Sequence, residues 1–188
     1  QAHDLGFELV GLCSADPPES LHALDDWLER GFHGEMGYMQ EHRDLRADLE
    51  NLLPGVRTVI SVGMFYKRDL SHEPGEPKIA RYAVGRDYHK VLRGKLRALG
   101  RWLDEQYPEA EHRACVDSAP ILERDYANRA CLGWYGKNTM LINSVRGSWF
   151  FIGELRTTLE IERDKPAFGG CGTCSLCIEA CPTGAITY

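Results

Sequence analysis

The stretch DYHKVLRGKLRALGRWLDEQYPEAEHRACVDS, residues 87–118, changes its hydrophobic period partway along. Val91, Leu92, Leu96, Leu99 and Leu103 recur at three- and four-residue steps, which predicts a helix over 87–106 with one apolar face. Pro108 ends it, because the residue before a proline is pushed out of the helical region. The RACVDS segment at 113–118 then reads as a short strand, feeding a helix that begins near Pro120, a residue suited to a first helical turn.

Outward from this pair the same alternation holds. Glu19 to Arg30, ESLHALDDWLER, places Leu21, Leu24, Trp27 and Leu28 at helical spacing, with Gly31 where a C-terminal cap belongs. RTVISVGMFY at 57–66 follows the break at Pro54-Gly55 and is rich in β-branched and aromatic residues, so it predicts a buried strand. TMLIN and SWFFIGELRTTLEI predict two more, the second bending at Gly153. ERDKPAFGG at 162–170 has the charge, proline and glycine of a linker. The expectation is a mixed α/β (α+β) body, a mixed sheet flanked by helices, over residues 1–165, with a cofactor-binding tail over 166–188.

In a chain of 188 residues, 43% apolar content supports a sizeable core. The opening QAHDLGFELVGL reads as the tail of a helix entering a strand, and both ends of the chain look cut. No signal peptide and no run of about 18 apolar residues is present, so a cytoplasmic protein without a membrane span is expected. The net charge of −6 argues against a generic nucleic-acid binder, yet residues 78–101 hold eight Lys/Arg against Asp87 alone. Within that run Lys90, Arg93, Arg97 and Arg101 share a helix face, which fits either a track for nucleic-acid phosphates or a solvated surface.

Four of the seven cysteines, Cys171, Cys174, Cys177 and Cys181, form C-x2-C-x2-C-x3-C-P. Thiolates at such short gaps let one loop wrap an iron–sulfur cube, whereas structural zinc sites usually bring two knuckles from separate hairpins. In two-cluster ferredoxins the fourth cysteine of the run ligates the other cluster. Cys171, Cys174 and Cys177 would then bind one [4Fe–4S] cluster and Cys181 begin a second, or all four would close on one cube. Cys13, Cys115 and Cys131 stand alone and are expected to be buried small hydrophobes.

A cluster moves single electrons and does no bond chemistry unaided, so the body should hold a second cofactor or a substrate. GWYGKNT at 133–139 fails the phosphate-loop pattern, and no G-x-G-x-x-G is present. DYHKVL at 87–92 has Leu92 where a cobalamin-ligating D-x-H-x-x-G run has glycine, so His89 reads as an ordinary helix residue.

CVDSAPILERDYANRACLGWYGKNTMLIN, GSWFFIGELRTTLEI and CGTCSLCIEACPTGAI, in that order, resemble the epoxyqueuosine reductase family. MGYMQEHRDLRADLENLLPGVRTVISVGMFY and KIARYAVGRDYHKVLRGKL fit as well, so the resemblance runs along essentially the whole chain. It implies a nitroreductase-like cobalamin-binding body followed by a ferredoxin-like segment, cut short of the family's second cysteine run. The implied reaction removes the epoxide oxygen of epoxyqueuosine in tRNA as water, giving queuosine and consuming two electrons and two protons. An external donor would feed [4Fe–4S] clusters and then cobalamin, with its lower base detached. A monomer is expected.

The resemblance assigns Asp117 as proton donor, and a desolvated carboxyl of raised pKa would suit that role. From position alone, Asp117 and Ser118 would instead cap the helix near Pro120. Arg124 would steady the substrate or pair with Glu123 or Asp125. Lys137, Asn138 and the backbone near Leu141 would bond the corrin's amide arms, with Arg46 and Tyr82 as further cobalamin-side residues. Two rivals remain: a corrinoid reductive dehalogenase, which usually bears an export signal and uses a tyrosine with a basic partner, and a plain iron–sulfur electron carrier.

Overall fold

A computed structural model describes residues 1–68, 75 and 77–187, so Tyr188, the last residue of the expected tail, lies outside it. Four strands form the main sheet: β1 (Leu9–Ser14), β2 (Thr58–Phe65), β3 (His112–Cys115) and β6 (Phe150–Thr157), in the order β1-β2-β6-β3. A mixed α/β body with a sheet flanked by helices is therefore what the chain builds. All three ladders are antiparallel, so the sheet itself is not mixed in direction.

Strand periodicity sends alternate side chains to two cores. On one face Ile60, Val62 and Leu155 meet Leu92, Leu96, Leu99 and Leu103 of α4 (Tyr88–Gln106). On the other, Val59, Cys13 and Phe150 meet Tyr126, Ala127 and Ala130 at α5 (Glu123–Arg129). Val91 is only half-buried, because the α4 stripe that reaches the sheet is the leucine row. Asp87 caps α4 by accepting the His89 N–H at 3.0 Å. The chain's opening forms turns ahead of β1.

Gly153 sits within β6 without a break in the pairing. The register continues through Val62↔Gly153, and glycine is there because a Cβ would stand 3.1 Å from Leu96 and 3.3 Å from Leu92. It lets α4 lie close against the sheet.

Smaller elements complete the chain: α1 (Leu21–Glu29), which ends before Gly31 at φ +68°, then α2 (Tyr38–Glu41) and α3 (Arg43–Ala47). The TMLIN strand reduces to β5 (Leu141–Ile142), paired with β4 (Trp134–Tyr135) in a separate two-stranded sheet. The helix expected near Pro120 begins at Glu123 instead, and neither Asp117 nor Ser118 caps it. Residues 116–122 are a loop whose conformation is set by side-chain contacts. The cysteine tail carries α6 (Leu176–Glu179) and follows a segment tied to the body through Asp164 N–H to Leu12 O (2.8 Å) and Ala167 N–H to Asn128 O (2.9 Å).

Candidate active site

Beyond Cys115 the chain leaves the sheet through buried Val116 and turns sharply at Asp117, whose φ of +57° is left-handed. Few residues other than glycine adopt that region, aspartate among them, and the surroundings must hold it there. They do so from two directions. Glu123 Oε1 accepts the Asp117 N–H at 2.6 Å, and Asp117 Oδ2 accepts from Tyr88 Oη at 2.6 Å and lies 2.9 Å from His89 Nε2. Nδ1 of His89 in turn stands 2.9 Å from Asp87 Oδ1. Tyr88 is fixed by stacking, its ring 4.1 Å from Phe151 and 3.9 Å from His89.

This network sets the charges. The Tyr88 hydroxyl, and after it His89, hold the Asp117 carboxyl below the usual carboxylate range even though partial burial opposes them. With its side chain 58% exposed, Asp117 stands on the lowered side of the range rather than the raised side that suits a desolvated acid. His89 is raised by its bonds to Asp117 and then Asp87, so the imidazole holds its proton to a higher pH than a free one. His89 is not an ordinary helix residue. Burial pushes Glu123 up to about 7, against the lowering from the Asp117 N–H.

A line of contacts runs on from Asp117 on either side. Tyr82, half-exposed, stands edge-on to Tyr88 at 6.4 Å, and the two line an aromatic cleft of about 420 Å³ with Tyr66 and Phe151. On the other side Arg124 donates to the Thr139 carbonyl and, at 3.4 Å, to its hydroxyl, rather than pairing with Glu123 or Asp125. Asp125 is taken by Arg129 at 3.5 Å and by the Ser20 N–H at 2.7 Å. Thr139 is also left-handed, at φ +63°, in a turn where Asn138 Oδ1 accepts the Met140 N–H at 3.2 Å. Lys137 Nζ donates to the carbonyls of Gly172 (3.1 Å) and Cys174 (3.0 Å), so this turn grips the backbone of the cysteine loop.

Tyr82, Asp117, Arg124, Lys137 and the cysteine loop thus lie along one line, linked by the contacts of Tyr88, Glu123 and Thr139 and by chain continuity between them. Leu141 is buried in the core beneath the turn. Arg46 is not brought to this line: it is buried on α3, bonded to the Met39 carbonyl at 3.4 Å, and burial lowers its pKa. Lys90, Arg93, Arg97 and Arg101 follow α4 away from His89, with Arg93 reaching the Ser118 hydroxyl at 3.5 Å. Cys13 and Cys115 are buried as expected, but Cys131 is exposed at φ +66°, on the turn that ends α5.

The four tail cysteines do not converge: among the described residues no group of three His, Cys, Asp or Glu side chains is placed to hold a metal ion. Their chemistry nevertheless suits an iron–sulfur cluster, which takes thiolates. The N–H groups of Ile186 and Thr183 and the Thr183 hydroxyl draw Cys181 down to about 7, so that thiolate forms readily. For a corrinoid the fit is one of surface. The Tyr82–Tyr88 cleft offers aromatic faces to the edge of a flat ring, and the 136–140 turn offers amide-bonding groups.

A family model described as Epoxyqueuosine reductase QueG, DUF1730 matches residues 46–118, a stretch that includes Arg46, Tyr82, His89 and Asp117. An epoxyqueuosine reductase of Synechococcus sp. (strain RCC307) is 47% identical over the whole of this chain and 59% of its own length. The solved epoxyqueuosine reductase of Streptococcus thermophilus superposes with a TM-score of 0.87 at 30% identity, covering 99% of this chain and 51% of that one. An epoxyqueuosine reductase solved with a tRNA-Tyr epoxyqueuosine-modified tRNA stem loop gives 0.81 at 28%, covering 98% and 50%. Reductive dehalogenases share the fold alone, one at 18% identity with a TM-score of 0.53 over 98% of this chain and 22% of the other. Fold and site together define a mixed α/β body with an acid–imidazole pair beside a cysteine-rich tail. The chain is similar along its whole length to epoxyqueuosine reductases and spans half to three-fifths of the length of these relatives. None of its described helices is long and apolar enough to cross a membrane.

Proposed function

We propose that this chain provides the cofactor body and first cysteine run of a cytoplasmic enzyme that removes the epoxide oxygen of epoxyqueuosine in tRNA to give queuosine. The observation that carries this reading is the Asp117 constellation: a strained, exposed carboxylate locked between Tyr88, His89 and Glu123 and joined through Arg124 and Lys137 to the cysteine loop. The overall change breaks both bonds to the epoxide oxygen, forms a carbon–carbon double bond and releases water for two electrons and two protons. Cysteines 171, 174, 177 and 181 would hold [4Fe–4S] iron and sulfide. Tyr82 and the turn carrying Lys137 and Asn138, with Arg46 further off, would flank cobalamin. When bound, these groups supply the two electrons, drawn from an external donor.

The chain's own residues handle the protons. Asp117 is the anion of the pair and His89 its proton store, so one of the two protons reaches the departing oxygen through Asp117 as the imidazolium restores it, and the other comes from solvent at the exposed carboxylate. Tyr88 fixes the carboxylate's direction. Asp87 fixes the imidazole's. Arg124 keeps the neighbouring turn in place and presents positive charge toward the leaving oxygen's side of the loop. The lower assignment of Asp117's pKa makes this relay the simplest route, because the carboxyl by itself would be empty of protons at neutral pH.

Anaerobic reconstitution with iron, sulfide and cobalamin tests the reading. Corrin absorbance and iron–sulfur signals are expected, followed by conversion of an epoxyqueuosine-bearing anticodon stem–loop after chemical reduction. Asp117→Asn should keep the corrin and lose conversion. A chain that takes up no corrin, or full conversion by Asp117→Asn, would defeat it.

A further inference from the structure

β3 closes one edge of the sheet, pairing only with β6. Against that open edge lies a cleft of about 520 Å³ lined by Arg93 and Arg97 from α4, Arg113 from β3 and Arg156 from β6. Arg113 and Arg156 are directly opposed across the ladder, an arrangement that repels unless a negative charge stands between them. Arg113 is steadied by the Leu52 carbonyl at 2.7 Å.

Arg156 decides what the cleft is for. It is 2% exposed, and its Nη2 reaches Cys115 Sγ at 2.7 Å, while Nε and Nη1 have no hydrogen-bond partner. A guanidinium does not shed its proton, so a buried one with idle donors is costly until an acceptor arrives. Its neighbours do not supply that charge. Glu154, fully buried on the same face of β6, also has both oxygens without hydrogen-bond partners and makes no ion pair with Arg156, and burial pushes its carboxyl well above the usual carboxylate range. Burial pushes the Cys115 thiol up to about 11, so it carries no charge at neutral pH. Among the described residues none of the four arginines makes an ion pair. His112, whose ring nitrogens are buried without hydrogen bonds, lines the same cleft.

We propose that this cleft is a phosphate-binding site, with the buried Arg156 at its floor and Arg93, Arg97 and Arg113 around its mouth. Phosphate fits better than a carboxylate, because guanidinia approaching from a helix and from two strands need an anion with acceptors on every side. Val116 and Ser118 also line the cleft, so its occupant stands directly behind Asp117 and braces the loop that carries it. Two sources share this chemistry, a phosphodiester of the RNA backbone and free phosphate. The first rests on the function proposed above and turns part of the α4 basic face into one defined contact.

The test uses the full chain, inorganic phosphate and an unmodified anticodon stem–loop. Phosphate should raise the melting temperature beyond chloride of equal ionic strength, and the double variant Arg97→Gln/Arg113→Gln, at two exposed positions, should lose that gain while melting normally without phosphate. Arg156→Met gives a second reading from the floor of the site. No phosphate-specific gain in the parent chain, or an equal gain in the double variant, overturns the proposal. If RNA is the source, phosphate competes with the stem–loop and the double variant binds it about tenfold more weakly, with a shallower salt dependence. Stabilisation by phosphate with unchanged RNA binding upholds the site and assigns it to free phosphate. Neither readout involves the epoxide or a cofactor, so the site and the proposed reaction stand or fall separately.

Discussion

His89 and Asp117, 28 residues apart, meet at 2.9 Å through Nε2 and Oδ2, and each moves the other's proton affinity in the opposite direction. The helix α4 presents the imidazole in its first turn, and a left-handed residue presents the carboxylate from the far side of β3. The pairing couples a core helix to the candidate catalytic loop, so whatever disturbs one end is felt at the other.

A proton titration of His89 follows from this. Asp117 is depressed from 3.8, so its share of the pairing is present above that value and fades as pH falls through the folded pKa. His89 is raised from 6.5, so its share is full below that value and fades as pH rises through the folded pKa. The pair is therefore strongest between those two limits. Following the His89 ring proton by NMR should give a midpoint above 6.5 that drops in Asp117→Asn. An identical midpoint in both proteins would mean the contact is not made in solution.

Glu123 should make stability fall with pH over a window where most carboxylates have finished titrating. Its pKa rises from 4.5 to about 7 on folding, so its neutral form is the one the fold accepts; its stabilisation is full below 4.5 and lost as pH climbs through 7. The full shift corresponds to roughly 3 kcal/mol. Glu123→Gln keeps an oxygen for the Asp117 N–H and removes the titration. Urea melts across that window should show a downward slope in the parent chain and a flatter one in the variant.

What the sequence revealed depends on whether a contact leaves a local pattern. Leu92, Leu96, Leu99 and Leu103 did, because helical spacing reports a buried face. β2 and β6 were legible as apolar runs, but their place in the middle of an antiparallel sheet was not, since strand order is a property of distant pairings. At Gly153 the reading of a bend left out what the missing Cβ admits, the close approach of Leu96 and Leu92 from α4. Asp117 was found through resemblance. Tyr88 and His89 were missed: their partner is on another element, and no spacing rule links helix position two to a loop 28 residues on. The signal that exposes them is the D-x-H run itself, Asp87-Tyr88-His89.

Gly11 offers a check of the fold that is independent of the site. A Cβ there would fall 1.7 Å from the Ala130 carbonyl oxygen, where the end of α5 presses on β1. Backbone cannot swing aside as a side chain would, so Gly11→Ala forces β1 and α5 apart and should cost about 3 kcal/mol or more. Denaturant unfolding measures it. A loss below about 1 kcal/mol would show that α5 is not seated on β1 as described.

Lys137 is the remaining point where body and tail are joined by a charged group. Its ammonium satisfies the carbonyls of Gly172, inside the first gap of the cysteine run, and Cys174, which closes it, and so restrains the loop before any metal arrives. Because these contacts hold an exposed loop, replacing them should leave global stability within about 0.5 kcal/mol. The local effect is different. In Lys137→Met, amide exchange over residues 171–177 should quicken by about five- to tenfold, the worth of about one hydrogen bond, while exchange in α4 stays as it was. Iron uptake on reconstitution should slow in parallel, because the thiols begin from a looser loop. Unchanged exchange at 171–177 would place the anchoring of the tail elsewhere, at Ala167 and Asp164 on the preceding segment.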